Sequence, residues 1–179
     1  MKYGAKKSLE HLYSLGHKNI GYIGAKVTPH NSNDGLELIN YRELTYIEFM
    51  KNINNFKEEW IFKGNFTPED GYSLMKKALN LNEIPSAFFI ASDPMAVGAY
   101  KAIQEEGYNI PKDISIVVFD DIPTAQYLSP SLTTVKVYTD FMGETAFDVL
   151  MERIKDERTL SKKVVLPVKL VIRDSCKHI

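Results

Sequence analysis

The chain has 179 residues, 44% hydrophobic and 25% charged, with a formal net charge of −1. That suits one globular domain, or one domain with an appendage, and excludes a disordered segment. A near-neutral balance supplies no basic field for gripping phosphates, so this stretch alone is not expected to bind DNA. Cys176 is the single cysteine, so no intramolecular disulfide is expected, which is compatible with the cytoplasm. The basic start, Met1-Lys2-Tyr3-Gly4-Ala5-Lys6-Lys7, is followed by no apolar h-region, and no run of about 18 apolar residues occurs. Neither a secretory signal nor a membrane span is expected.

In chain order, residues 4–15 carry Ala5, Leu9, Leu12 and Leu15 at helical spacing, and Gly16 stops the helix. Asn19-Ile20-Gly21-Tyr22-Ile23-Gly24 reads as a short buried strand, and residues 25–40, rich in Asn, Asp and Gly, as loop. Residues 41–52 read as a helix with Tyr46, Phe49 and Met50 on its apolar side, and Trp60-Ile61-Phe62 as the next strand. Thr67-Pro68-Glu69-Asp70 combines an N-cap residue, proline at the first helical position and acids in the first turn, opening a helix to about Leu81. Ala87-Phe88-Phe89-Ile90-Ala91 is the continuous apolar run of a central parallel strand. Asp93-Pro94 reads as the same cap-then-proline device, with a helix to Glu106 closed by Gly107. Residues 114–119 form another buried strand ending at Asp120-Asp121. Residues 132–137 are extended, 139–156 helical, and 164–173 extended, with Pro167 marking an edge.

Strands alternating with helices of 12–16 residues predict an α/β fold, a doubly wound parallel sheet in three layers. Ligands bind such sheets outside the carboxyl ends of the strands. That rule selects Gly24 onward, residues 64–66, Ser92-Asp93 and Asp120-Asp121. The paired carboxylates at 120 and 121 suit a metal, a phosphoryl group or ligand hydroxyls; the plainer alternative is a loop acid capping the turn over 123–128. A phosphoacceptor site would want a further acid at an earlier strand end, and the strand ending at Gly24 offers none. Arg42, in a first helical turn, is a ligand contact or a solvated surface residue. Phe66 is an aromatic stacking surface or core, and Ser92 a ligand contact or a support for the helix start. His11, His17, His30 and His178 show no metal spacing, and His17, after a helix-stopping glycine, reads as structural. With no phosphate loop, nucleophile elbow or zinc signature, catalytic residues, metal and cofactor are all expected to be none.

Ile90-Ala91-Ser92-Asp93-Pro94-Met95-Ala96-Val97-Gly98-Ala99 resembles the "A-[SN]-D-x-M-A-x-G-A" segment of the LacI/GalR family of transcriptional regulators. Gly107-Tyr108-Asn109-Ile110-Pro111-Lys112-Asp113-Ile114-Ser115 with Val118-Phe119-Asp120-Asp121-Ile122, and Ser129-Pro130-Ser131-Leu132-Thr133-Thr134-Val135, are similar to its next two signatures. Gly143-Glu144-Thr145-Ala146, Leu170-Val171-Ile172-Arg173-Asp174-Ser175 and the run from Leu15 to Gly24 also match. Together they span almost the whole chain in order. Val118 stands where the family often has glycine, and Thr45 departs from its "R-x-x-G-[FY]".

The resemblance implies a periplasmic-binding-protein-like effector core, here about its second half-domain: residues 1–135 and 160–176 as the half-domain, and 136–159 as a crossover helix that would pack on the first. The helix-turn-helix head is not in this stretch. It implies effector contacts at Arg42, Phe66, Ser92 and Asp120, and a homodimer contact involving Met95, Ala99, Tyr127 and Leu128. The expected partners are a small-molecule effector, a mono- or disaccharide, and operator DNA through an N-terminal domain only, with no membrane. Purine-responsive members leave a purine open. A sugar-binding transport component is the runner-up, and an enzyme of flavodoxin-like fold the third reading. The apolar residues of 139–156 cover roughly 200° of the helical wheel, which predicts partners on more than one side, a second copy of the chain among them.

Overall fold

Alternation of apolar side chains along each strand decides the layering of this molecule. In a computed structural model describing residues 1–26 and 40–179, Phe88, Ile90, Ile116 and Val118 face one hydrophobic cluster, while Ala87, Phe89, Val117 and Phe119 face the other. The expected loop over 25–40, His30 included, falls almost wholly outside the described residues.

The strands are β1 (Ile20–Ala25), β2 (Ile61–Gly64), β3 (Ala87–Ile90), β4 (Ser115–Asp120), β5 (Thr133–Val137) and β6 (Val168–Val171). They form one sheet in the order β2-β1-β3-β4-β5-β6. β1 to β5 are mutually parallel, with Ile23 beside Ile90, Phe89 beside Val117 and Phe119 beside Val135. Helices α1 (Lys2–Ser14) and α2 (Tyr41–Asn52) cover one face through Leu9, Leu12, Tyr46 and Met50. Helices α3 (Pro68–Leu79) and α4 (Asp93–Glu105) cover the other through Leu74, Met75, Ala99 and Ile103. This is the three-layer α/β arrangement the periodicity predicts. Among the described residues no helix is long and apolar enough to cross a membrane.

Local sequence explains most boundaries. The Thr67 side chain accepts from the Asp70 amide, capping α3 ahead of Pro68. Gly107, at φ 80°, ends α4 in a conformation open to glycine. His17 bridges Ser86 Oγ (2.9 Å) and the Lys177 carbonyl (3.1 Å), joining the strand bases to the C-terminal segment. α3 and α4 approach to backbone contact: a Cβ on Gly98 would lie 1.8 Å from the Pro68 carbonyl oxygen, and one on Gly71 2.0 Å from that of Met95.

Three expectations change. Trp60 belongs to a 3-10 turn (Glu58–Trp60) and is buried, so β2 starts one residue later. The cap residue of α4 is Ser92, and Asp93 makes no capping bond: its carboxylate reaches across to the β4–β5 connection and to β5. β6 runs antiparallel to β5, pairing Val137 with Val168 and Thr134 with Val171. The connection containing α5 (Thr139–Lys155) leaves and re-enters at the same edge of the sheet, and no residue of α5 is buried.

Candidate functional site

Arg42 enters the site because α2 is tied to the end of β1. Asn40 caps the helix: its side-chain oxygen accepts from the amides of Arg42 (3.1 Å) and Glu43 (3.5 Å). Its amide group donates to the Ala25 carbonyl (3.0 Å) and the Tyr22 hydroxyl (3.4 Å). One side chain thus fixes where the helix starts and where the strand ends. The Arg42 guanidinium lies over the Phe119 ring, 4.3 Å from its centroid, and donates through Nη2 to Asp120 Oδ1 at 3.0 Å. Burial pushes the Asp120 carboxyl above its ordinary pKa, and Arg42 pulls against that shift.

All four expected effector residues lie at the carboxyl edge of the sheet. Asp120 ends β4, Ser92 follows β3 by two residues, Phe66 follows β2 by two, and Arg42 opens the helix after β1. The strand order switches between β1 and β3, the position where doubly wound sheets leave a crevice. Direct contact links Arg42 with Asp120. Ser92 is 4% exposed and Phe66 40% exposed. Two buried polar atoms here, Arg42 Nε and Ser92 Oγ, have no hydrogen-bond partner among the described residues. Unpaired buried polar atoms are rare and costly.

The two aspartates divide. Asp121 does not cap the 3-10 turn Pro123–Tyr127, whose cap residue is Ile122. Its carboxylate pairs with Arg173 at 2.8 Å, and Arg173 also donates to the Leu132 carbonyl at 2.7 Å. Asp120 is the acid of the pair that meets Arg42. Sequence reasoning assigned no role to Asn40, Phe119 or Arg173. Asn40 was within reach, since an asparagine just ahead of an apolar-periodic helix is a cap signature; the partners of Phe119 and Arg173 are remote in sequence.

The residues expected at a dimer contact separate as well. Met95 and Ala99 are fully buried in the α3–α4 side of the core, so they are not available to a partner. The close approach at Gly71 and Gly98 places α3 over them. Tyr127 is 80% exposed, and Leu128 is partly buried against the same core.

Residues 9–176 match the family model of the periplasmic binding protein-like domain. The HTH-type transcriptional repressor MelR of Bacillus subtilis (strain 168) is 42% identical over 175 residues, 96% of this chain and 50% of that protein. The lac repressor dimer bound to operator and the anti-inducer ONPF is similar at TM-score 0.84 and 27% identity, over 98% of this chain and 58% of that one. The complex of the transcriptional regulator CelR with cellobiose superposes at TM-score 0.84 and 27% identity, over 97% of this chain and 51% of that one. The chain spans about half the length of the curated relatives it matches.

Proposed function

Because this chain belongs to the LacI/GalR family, in the periplasmic-binding-protein-like domain of those regulators, we propose that it binds the effector of a transcriptional repressor, a mono- or disaccharide. The observation that carries the reading is the Arg42–Asp120 pair, 3.0 Å apart, at the carboxyl edge of the sheet on which Ser92 and Phe66 also lie. A sugar presents alternating apolar C–H faces and a ring of donors and acceptors. Asp120 would accept from its hydroxyls, Arg42 and Ser92 would donate, and Phe66 would cover an apolar face. The cellobiose complex of a structural neighbour supports a sugar.

Effector binding would shift the whole protein between operator-competent and operator-released states in the cytoplasm, with DNA contacts made by a separate N-terminal domain and the regulator acting as a homodimer. Tyr127 and Leu128 remain candidates for that contact. In a protein as long as its relatives, the helix within 136–159 would pack on a first half-domain. A sugar transporter's binding component would share the fold; the 42% identity to a transcriptional repressor favours regulation.

The test is a thermal-shift screen of monosaccharides, disaccharides and purine bases, followed by calorimetry. A sugar hit is expected, and Asp120→Ala should weaken it by about 1.5–3 kcal/mol, the worth of a charged hydrogen bond. Purine-only binding, or sugar affinity untouched by Asp120→Ala, would overturn the reading.

A further inference from the structure

Asp120 and Asp121 both adopt left-handed backbone, at φ 121° and 61°. Such conformations cost a non-glycine residue on the order of 1–3 kcal/mol and persist only where the surroundings over-determine them. The over-determination comes from outside the strand. The Asp121 amide donates to Thr134 Oγ1 at 3.3 Å, and the Ile122 amide donates to Asp93 Oδ2 at 2.7 Å. The Thr134 hydroxyl donates its own proton to Asp93 Oδ1 at 2.9 Å. Each polar atom has a partner: the Asp93 carboxylate accepts on each oxygen, and Thr134 gives one bond and takes one. Both residues are buried, Asp93 on α4 and Thr134 on β5. Asp93 receives no bond from its own helix, so helix capping does not explain it.

We propose that Asp93 and Thr134 are positioning residues for Asp120: together they hold two consecutive amides of the strained turn and so keep the Asp120 carboxylate on Arg42. The functional consequence rests on the effector reading of Asp120; the positioning itself does not. The charged groups facing Asp93 are Asp120 and Asp121 at the end of β4, held in turn by Arg42 of α2 and by Arg173 beyond β6.

The experiment is amide hydrogen exchange and carboxyl NMR titration on the 179-residue chain, with no sugar present. In the unmodified protein the Asp121 and Ile122 amides should exchange at least about tenfold more slowly than those of the exposed turn residues Thr124 and Gln126. Thr134→Val keeps the shape and removes the hydroxyl. It should lower Asp121 protection by about tenfold and shift the Asp120 titration, because Arg42 no longer meets a fixed carboxylate. Thr134→Ser should restore both. Asp93→Asn, whose carbonyl still accepts from Ile122, should give an intermediate result. Fast exchange at Asp121 and Ile122 in the unmodified protein overturns the proposal even if a variant fails to fold. So does a folded Thr134→Val with unchanged protection and an unchanged Asp120 titration, or a Thr134→Ser that behaves like valine. No sugar enters these readouts, so a failed effector screen leaves them standing.

Discussion

The carboxylates at 93, 120 and 121 crowd one corner of the sheet, and each has a different partner: backbone and hydroxyl donors, Arg42, and Arg173. Asp93 is the most enclosed, and burial pushes its carboxyl up from 3.8 to about 6, against the pull of its bonds from Ile122 and Thr134. The folded-state value lies above the unfolded one, so the ionised group opposes folding above pH 6, and the opposition fades as pH falls through 6 toward 4. By linkage, this one residue should contribute on the order of 1 kcal/mol of added stability between pH 7 and pH 5. Urea unfolding at the two pH values, compared with Asp93→Asn, checks it: the gain should be present in the parent and absent from the variant. A parent whose stability falls over that interval by as much as the variant's would show that Asp93 does not titrate there. These roles were only partly readable in the residue string. The resemblance located Asp120 and Arg42, but Asp93 looks like a helix cap to any local reading, because its donors lie 29 and 41 residues further on.

At the scale of elements, identical residues carry opposite weights. Gly98 lies in α4 where a Cβ would meet the Pro68 carbonyl oxygen at 1.8 Å, with no flexible side chain to yield. Gly98→Ala must therefore separate α3 from α4, and should destabilise the fold by at least about 1–3 kcal/mol, the usual range for overpacking. Gly143 lies in α5, and a Cβ there would meet nothing within 4 Å. Gly143→Ala should stabilise that helix by about 0.5–1 kcal/mol through lost chain entropy alone. Thermal unfolding followed at the helix wavelength separates the two. Equal effects would mean that the α3–α4 contact is looser than the structure has it. Helix and strand order were legible from periodicity and caps because those signals are local. The direction of β6 was not. Pro167 marks an edge strand, yet nothing near it tells whether the chain re-enters from the same end of the sheet, which depends on where α5 goes.

At the scale of the whole molecule, the sheet and its four covering helices bury most of their apolar residues, and α5 buries none. Phe141, Met142, Phe147, Leu150 and Ile154 are each about half exposed or more, on a helix that offers the rest of its chain no buried side chain. Isolated exposed apolar residues are ordinary on protein surfaces; Phe147, Leu150 and Ile154, spaced by three and four residues, form a contiguous apolar strip along one side of the helix. The wide apolar arc read from the sequence corresponds to side chains that the helix's own chain leaves uncovered. For the 179-residue chain, the occupant expected is a second copy, because two such helices can cover each other's Phe147, Leu150 and Ile154 about a two-fold axis. Glu152, on the far side of the helix, is already paired with Lys162 and Arg158 of its own chain. Sedimentation equilibrium should therefore show concentration-dependent dimerisation. Phe147→Glu combined with Leu150→Glu should return the chain to monomer, because each substitution would place a desolvated carboxylate in the contact. The turn at Asp120 and Asp121 should keep its amide protection in that variant, since its holding bonds come from Asp93 and Thr134 and no α5 side chain is buried. A parent chain that stays monomeric at high concentration, or a double variant that dimerises as tightly, would show that α5 does not pair with its own copy.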